Sequence, residues 1–171
     1  MHCDIKCENA LVFKPEGSRA DFWKVKLSDF GNSLVDVDYY YPEDIIDVEP
    51  IGTPLYIAPE LQIPGHRRAK NLKAIDIWSW GLLLWEVVTS GARYTSTYNT
   101  SSVSIEDERT DLCTKGYKAC ENFIRQFHFH ERGELGPGIL EALRLSLDPD
   151  PSSRPSATTL LQRLGPLNGD L

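Results

Sequence analysis

The stretch from Lys73 to Thr89, KAIDIWSWGLLLWEVVT, decides the fold class. Its large apolar residues lie at positions 75, 77, 78, 80, 82, 83, 84, 85, 87 and 88, and they cover nearly every side of a helix. A helix that is hydrophobic all round is normally buried in the centre of a domain. Gly91 follows where such a helix would stop. The stretch therefore predicts a buried central helix.

Further helices are predicted on the C-terminal side of this stretch. Residues 105–127 are polar and helix-permissive, with Gly116 as a break. Residues 138–147 place their leucines and an isoleucine on one face, which is typical of an amphipathic helix. A last helix is predicted to begin at Ser156. The body of the domain is therefore expected to be mainly helical.

The N-terminal side carries strand signals instead. Residues 10–13 form a short apolar run that ends in a Lys-Pro-Glu-Gly turn. Residues 23–28 alternate as in a half-buried strand, so the two runs predict a hairpin. The acidic stretch 32–50, which contains Tyr39, Tyr40 and Tyr41, is predicted to be a long surface loop. The predicted fold class is α+β, mainly α, with a small N-terminal β-hairpin and a central buried helix.

Composition excludes several classes of protein. With 171 residues, 41% hydrophobic residues and a net charge of −7, the chain suits one folded domain and not a disordered or nucleic-acid-binding one. Its most apolar run, Ile77–Trp85, is shorter than the roughly 20 residues that a membrane span needs. No signal peptide is recognisable and the cysteines number only four, so we expect a cytoplasmic or otherwise intracellular protein with reduced thiols.

Five short motifs occur along the chain in a fixed order. They are HCDIKCEN at 2–9, DFG at 29–31, GTPLYIAPE at 52–60, DIWSWG at 76–81 and LDPDPSSRP at 147–155. In this order they resemble the C-terminal lobe of eukaryotic-type protein kinases, from the catalytic loop to the last helix. The resemblance covers nearly the whole chain, and it implies the kinase-like C-terminal lobe as the fold.

The resemblance also implies the roles of individual residues. Asp4 would accept the proton of the substrate hydroxyl or orient it, and Lys6 would neutralise the transferring phosphate. Asn9 and Asp29 are oxygen donors suited to Mg²⁺, so ATP and Mg²⁺ are the expected cofactors. Lys6 together with Thr53 is similar to the serine/threonine type, in which the Thr hydroxyl bridges the catalytic Asp and Lys. The expected substrate is a protein.

Three further residues have implied structural roles. Glu60 and Arg154 resemble the buried ion pair that joins the end of the activation segment to the last part of the domain. Asp76 resembles the residue that accepts backbone hydrogen bonds from the catalytic loop. A plain helix N-cap is the alternative interpretation of Asp76.

Two departures from the family pattern bear on function. Cys3 stands where regulated kinases have the catalytic-loop Arg that binds activation-segment phosphate, and a thiol offers no bidentate charge-assisted hydrogen bond.

The resemblance assigns residues 1–164 to a partial kinase domain without its N-terminal lobe and 165–171 to a tail. Without the helix that normally packs on it, part of the central helix would be uncovered and available to a protein partner.

The sequence leaves two functions open. One is the catalytic lobe of an ATP-dependent kinase, active when the complete domain is present, while the isolated chain is expected to be inactive. The other is a truncated kinase or pseudokinase lobe that binds a protein partner without activity. Intact Asp4, Lys6, Asn9 and Asp29 favour the first.

Overall fold

The structure is a computed structural model, and it describes residues 1–19, 23–35, 45–47, 50–62, 66–68, 72–91, 104–119, 121 and 135–164. Its strands are β1 (Ala10–Phe13), β2 (Lys24–Leu27), β3 (Ile45–Asp47) and β4 (His66–Arg68). Its α-helices are α1 (Pro59–Gln62), α2 (Lys73–Val88), α3 (Ile105–Lys115), α4 (Leu135–Ser146) and α5 (Ala157–Leu164). Two short 3-10 helices, Cys7–Asn9 and Pro54–Tyr56, lie in the loops. The predicted mainly helical α+β class is confirmed.

Helix α2 is the predicted central helix, and the core forms around it. Trp78 and Trp85 are fully buried, and they pack with leucines of α1, α3 and α4 in one cluster. Helix α4 crosses α2 closely at Gly81, where a Cβ atom would lie only 2.4 Å from Ser146 Oγ. Glycine at this position therefore allows the two helices to approach each other.

One side of α2 remains partly open. Trp80, Leu83 and Leu84 are half-buried, and Val87 is exposed. Their spacing of three, four and seven residues places them on one stripe of the helix. Only Val87 of this stripe is exposed, and Leu84 packs against the core. The expected uncovered surface and its role as a binding site for a protein partner stay a prediction.

Strands β1 and β2 form the predicted antiparallel hairpin, with Ala10 opposite Leu27 and Phe13 opposite Lys24. The prediction that the second strand is half-buried is wrong, because every residue of β2 is exposed. The alternation of apolar and polar residues is present, but no described element covers its apolar face. Val12, Trp23 and Val25 are among the exposed large side chains as a result.

Of the acidic stretch 32–50, the structure describes residues 32–35, 45–47 and 50, and residues 45–47 differ from the predicted loop. Strand β3 lies within it and pairs antiparallel with β4, with Ile46 opposite Arg67. Strand β4 is only three residues long and polar, so its sequence carries no periodic strand signal. The three tyrosines at 39–41 lie outside the described residues.

Helices α3, α4 and α5 begin within three residues of the predicted positions, and residues 120 and 122–127 of the predicted segment 105–127 lie outside the described residues. Ser104 caps α3 by accepting the amide of Asp107, and the helix ends before Gly116, which has a positive φ of 58°. A Cβ atom at Gly116 would lie only 2.1 Å from the carbonyl oxygen of Leu147. Glycine is therefore needed for the chain to leave α3 against the end of α4. The predicted tail, 165–171, lies outside the described residues.

Within the described part of the chain, no helix is both long and apolar enough to cross a bilayer. Cys3, Cys7 and Cys113 form no disulfide bond among the described residues. The same described residues contain no group of three or more His, Cys, Asp or Glu side chains placed to hold a metal ion.

Candidate active site

The loop that carries Asp4 is attached to the central helix through Asp76. The two carboxylate oxygens of Asp76 accept the backbone amides of His2 at 2.6 Å and of Cys3 at 2.8 Å. Asp76 is in the first turn of α2, and the residue at the N-cap position is Leu72. The geometry therefore matches the role that the resemblance implied for Asp76, and the alternative of a plain N-cap is wrong.

Asp4, Lys6 and Thr53 form one hydrogen-bonded cluster. The Thr53 hydroxyl donates to Asp4 Oδ1 at 2.8 Å and accepts from Lys6 Nζ at 2.7 Å. The Thr53 amide also donates to Asp4 Oδ1, at 2.9 Å, and Lys6 Nζ lies 3.1 Å from Asp4 Oδ2. A hydroxyl group can donate to the carboxylate and accept from the ammonium group through the same oxygen atom, and Thr and Ser both carry one.

Lys6 keeps part of its hydrogen-bonding capacity. An ammonium group has three N–H donors, and in the described structure one points to Thr53 and one to Asp4. The Lys6 side chain is 20% exposed. The remaining donor is thus available to an anion that approaches from solvent.

Asn9 is held in a defined orientation beside Asp4. Its Nδ2 atom donates to the backbone oxygen of Asp4 at 2.9 Å and to Asp4 Oδ2 at 3.2 Å. Because both N–H groups of the amide are used within the loop, Oδ1 is the atom left for a cation. The buried position of Asn9 fixes this arrangement.

Asp29 lies at the same end of the hairpin as Asn9. The amide of Ser28 donates to the carbonyl oxygen of Asn9 at 2.9 Å, so the residues next to β1 and β2 face each other. Asp29 follows directly with a φ of 61°, in the left-handed region that few residues other than glycine adopt. Its side chain is exposed and accepts from the Gly31 amide at 3.4 Å. The hairpin therefore brings both predicted Mg²⁺ ligands to one edge of the site.

The environment of Asp4 favours its ionised form. Burial by itself would raise the pKa of this carboxyl, but the hydrogen bonds from Thr53 and Lys6 outweigh it and lower the pKa below its ordinary value. Asp4 is only 6% exposed and still carries a charge at neutral pH. A carboxylate in this state can accept a hydrogen bond from a hydroxyl group.

Cys3 contributes no positive charge to the site. Burial, together with the nearby Asp76 carboxylate, raises the pKa of its thiol, so the side chain is neutral. Its sulfur lies 4.0 Å from the backbone oxygen of Met1. Like Asp29, Cys3 has a positive φ, of 66°.

The predicted ion pair between Glu60 and Arg154 is present. The guanidinium of Arg154 donates to both carboxylate oxygens of Glu60, at 2.7 and 2.8 Å, and its side chain is fully buried. Three backbone oxygens, of Ala74, Asp148 and Pro149, accept its remaining N–H groups. Arg154 also stacks on the Trp78 ring, 5.0 Å from the centroid. The pair therefore joins α1, α2 and the loop before α5.

Sequence reasoning missed two residues that support the site. His2 Nδ1 accepts the amide of Asp4 at 3.3 Å, and His2 Nε2 lies 3.0 Å from the carbonyl oxygen of Ser28. Its ring contacts Phe30 with 4.9 Å between the centroids. The position of His2 inside the first motif, residues 2–9, was the sequence signal that could have identified it. The other is Glu86, whose carboxylate accepts the Tyr56 hydroxyl at 2.7 Å, and no local pattern marks that contact.

The residues at the hairpin end fit a Mg²⁺ nucleotide. The Asn9 amide oxygen and the Asp29 carboxylate are the hard oxygen donors that Mg²⁺ prefers, and Mg²⁺ usually takes its other ligands from water and from phosphate. Two protein ligands beside a lysine with a spare donor suit that pattern. Asn9 and Asp29 alone do not form a closed metal site made only of protein ligands. The described residues likewise contain no group of three or more His, Cys, Asp or Glu side chains placed to hold a metal ion.

Comparison with known proteins places this arrangement in a family. The family model of the protein kinase domain matches residues 1–164. The chain is 30% identical over 156 residues to fibroblast growth factor receptor 1 of Dugesia japonica, covering 86% of this chain and 16% of that protein. It is 27% identical over 168 residues to the dual specificity protein kinase shkC of Dictyostelium discoideum, covering 96% of this chain and 27% of that protein.

A third relative is the ovarian-specific serine/threonine-protein kinase Lok of Drosophila melanogaster. It is 33% identical over 99 residues, which are 58% of this chain and 19% of that protein. The chain thus spans about a quarter or less of the length of these curated relatives. Relatives named as serine/threonine kinases and as dual-specificity kinases both occur, so the resemblance alone does not fix the acceptor residue. The match over residues 1–164 and the ordered motifs together establish that this chain belongs to the protein kinase family.

Proposed function

We propose that this chain is the catalytic lobe of an ATP-dependent protein kinase that phosphorylates Ser or Thr side chains of protein substrates when the complete domain is present. The observation that carries the proposal is the bridging hydroxyl of Thr53, which donates to Asp4 and accepts from Lys6. This cluster places the negative Asp4 carboxylate, a hydrogen-bond acceptor, next to the positive Lys6 ammonium group, a donor.

The proposed role of Asp4 is to orient the substrate hydroxyl. Its Oδ1 atom receives both bonds from Thr53, whereas Oδ2 has the longer contacts to Lys6 and Asn9, at 3.1 and 3.2 Å. We therefore assign the incoming hydroxyl to Oδ2. A carboxyl with a lowered pKa is a weak base, so it takes the proton late, after the bond to phosphorus has largely formed.

The other residues hold charge. Mg²⁺-ATP supplies the phosphoryl group and the cation that neutralises its oxygens when bound. Asn9 and Asp29 would hold the metal through their side-chain oxygens, and Lys6 would direct its spare N–H to an oxygen of the transferred group. Phosphoryl transfer depends mainly on positioning and charge neutralisation, and this set of residues provides both.

A chimeric domain tests the proposal. The N-terminal lobe of the kinase shkC would be joined ahead of residue 1, and the product incubated with radiolabelled ATP and a mixed protein substrate. We expect label on Ser and Thr, at a rate about 100-fold or more above that of an Asp4→Asn variant. Arg144→Ala, which alters an exposed ion pair with Glu141, is the matched control and should keep the full rate.

Two results would contradict the proposal. Equal incorporation by the Asp4→Asn variant would show that Asp4 has no part in the transfer. Label on Tyr alone would remove the serine/threonine assignment while leaving the kinase activity. Circular dichroism of each chimera is needed to show that it is folded before rates are compared.

The second candidate function, a binding module without activity, is favoured by one observation. Val87 of α2 and large side chains of the hairpin, including Trp23, are exposed on the described structure. An active chimera would argue against this module as the main function. A chimera that folds, binds no nucleotide and transfers no phosphate would argue for it.

A further inference from the structure

Strand β3 lies in the activation segment, the part of the chain from Asp29 to Glu60. Strand β4 lies beyond that segment, after helix α1. The two strands pair antiparallel over three residue pairs, from Ile45 with Arg68 to Asp47 with His66. Hydrogen bonds of such a ladder join backbone groups, so they depend neither on a side chain nor on a phosphate.

The described residues that precede and follow strand β4 along the chain, Gln62 and Leu72, are held by the rest of the lobe. On its N-terminal side, Gln62 at the end of α1 donates to the carbonyl oxygen of Ile57 and to Cys113 Sγ, both at 3.0 Å. On its C-terminal side, Leu72 is almost fully buried where α2 begins. Pairing with β4 therefore joins the activation segment to a strand that lies between two held positions of the chain.

The segment is held a second time five residues further on. A Cβ atom at Gly52 would lie only 2.4 Å from the carbonyl oxygen of Cys3, so the chain passes directly over the catalytic loop there. Gly52 has a positive φ of 103°, and the next residue, Thr53, binds Asp4. The position of Thr53 thus depends on how the chain between β3 and Gly52 is placed.

A phosphate would find no partner at residue 3. The Cys3 side chain is buried and neutral, and its sulfur faces the backbone oxygen of Met1. A phosphate on this segment carries a charge of about −1.5 to −2 and is ordered by charge-assisted hydrogen bonds from arginine. Residue 3 therefore offers no contact that could order a phosphorylated segment in this chain.

We propose that the β3–β4 pairing holds the activation segment in place without phosphorylation. The proposal rests on the proposed function in one respect: a fixed activation segment matters for phosphoryl transfer only if the complete domain is a kinase. The pairing itself is a property of the folded chain, and it can be measured without any activity.

Hydrogen exchange on the unphosphorylated chain tests it, with intact mass confirming that no phosphate is present. We expect the slowest amide among residues 45–47 to exchange about tenfold or more slowly than in an unstructured peptide of the same sequence. Arg67→Pro removes an amide and restricts the backbone in the middle of β4, so it should abolish this protection. Arg67→Ala is the matched control. It deletes the same charge, keeps the backbone and should preserve the protection.

Amides of α2 report whether each variant is folded. If Arg67→Pro also exposes α2, then Ile46→Pro breaks the same pairing from the β3 side. Fast exchange at residues 45–47 in the wild-type chain overturns the proposal. So does protection that survives both proline variants. If Arg67→Ala loses as much protection at residues 45–47 as Arg67→Pro does, the Arg67 side chain and not the backbone pairing orders the segment, and the proposal is overturned. Protected amides in a chain whose chimera transfers no phosphate would contradict the proposed function and leave this inference standing.

Discussion

The guanidinium of Arg154 and the carboxylate of Glu60 form two parallel hydrogen bonds across 94 residues of sequence. Arg144 and Glu141, three residues apart on the exposed surface of α4, also form a bidentate pair, through Nε and Nη2 of the arginine. The two pairs differ in burial, and this difference sets their expected contributions to stability.

The first prediction compares these two pairs. Arg154→Ala removes two hydrogen bonds to the partly buried Glu60 carboxylate and three more to backbone oxygens, so it should lower the free energy of unfolding by about 3–5 kcal/mol. Arg144→Ala should change it by about 1 kcal/mol or less, because exposed pairs contribute little. Thermal melts of both variants decide the matter, and equal melting temperatures would remove the buried pair from the account of stability.

The second prediction concerns two glycines in helices. Gly81→Ala places a Cβ atom 2.4 Å from Ser146 Oγ and 2.9 Å from Leu147 Cδ2, so overpacking should destabilise the lobe by about 1–3 kcal/mol. Gly138→Ala meets nothing closer than Leu164 Cδ2 at 4.0 Å, so better helix propensity should stabilise by about 0.5–1 kcal/mol. Urea unfolding measures both changes. The same sign for both variants would contradict the close crossing of α2 and α4.

The third prediction concerns Asp76. Replacement by Asn keeps one acceptor oxygen but loses the charge and the second acceptor, so one of the amides of His2 and Cys3 is left without its bond. We expect a loss of about 1.5–3 kcal/mol, typical of hydrogen bonds to charged groups. Hydrogen exchange at His2 and Cys3 should become faster in Asp76→Asn than in the wild type. Unchanged exchange at both amides would show that the catalytic loop is held elsewhere.

The fourth prediction concerns the pKa of Asp4. Thr53→Val removes the hydroxyl hydrogen bond and should raise this pKa, whereas Thr53→Ser should keep it low. Because the folded-state pKa lies below the ordinary value of 3.8, Asp4 stabilises the fold above that pH. This contribution is lost as the pH falls through the lower, folded-state pKa. An NMR titration of the carboxyl carbon in the three proteins measures the shift, and identical titration curves would contradict it.

The fifth prediction concerns the isolated chain. Its 171 residues contain no Gly-x-Gly-x-x-Gly loop to cover the phosphates. Positioning the triphosphate is most of the catalysis, so we expect no transfer from radiolabelled ATP above that of Asp4→Asn. Turnover that disappears in Asp4→Asn would show that the described residues suffice for nucleotide binding.

Sequence reasoning reached the central helix and the hairpin because their signals are local. The apolar residues of α2 recur at helical spacing, and those of β1 and β2 alternate. Short polar strands such as β4 carry no such period, so the pairing with β3 could not be anticipated. The exposure of β2 was missed for a related reason. Alternating apolar and polar residues predict that a strand has one apolar face, but they do not show whether another element packs on that face.

The candidate site was reached only through the resemblance to kinases. Asp4 and Thr53 are 49 residues apart, and nothing in their spacing predicts a hydrogen bond between them. The motif order identified both, and the structure then supplied the geometry that distinguishes a bridging hydroxyl from a neighbouring one. His2 lay inside the first motif, but its contacts with Asp4 and Ser28 depend on the side-chain orientation, which no pattern encodes.

The attachment of the catalytic loop to Asp76 has a thermodynamic consequence. Because two successive amides of the loop bind a carboxylate on the most deeply buried helix, the loop cannot detach without disturbing the element whose loss unfolds the lobe. Opening of the site is therefore coupled to global unfolding. A small molecule that binds to the loop should then stabilise the whole lobe, by about 2.7 kcal/mol at a concentration 100 times its dissociation constant. Thermal-shift screening would detect such ligands even in the absence of catalysis.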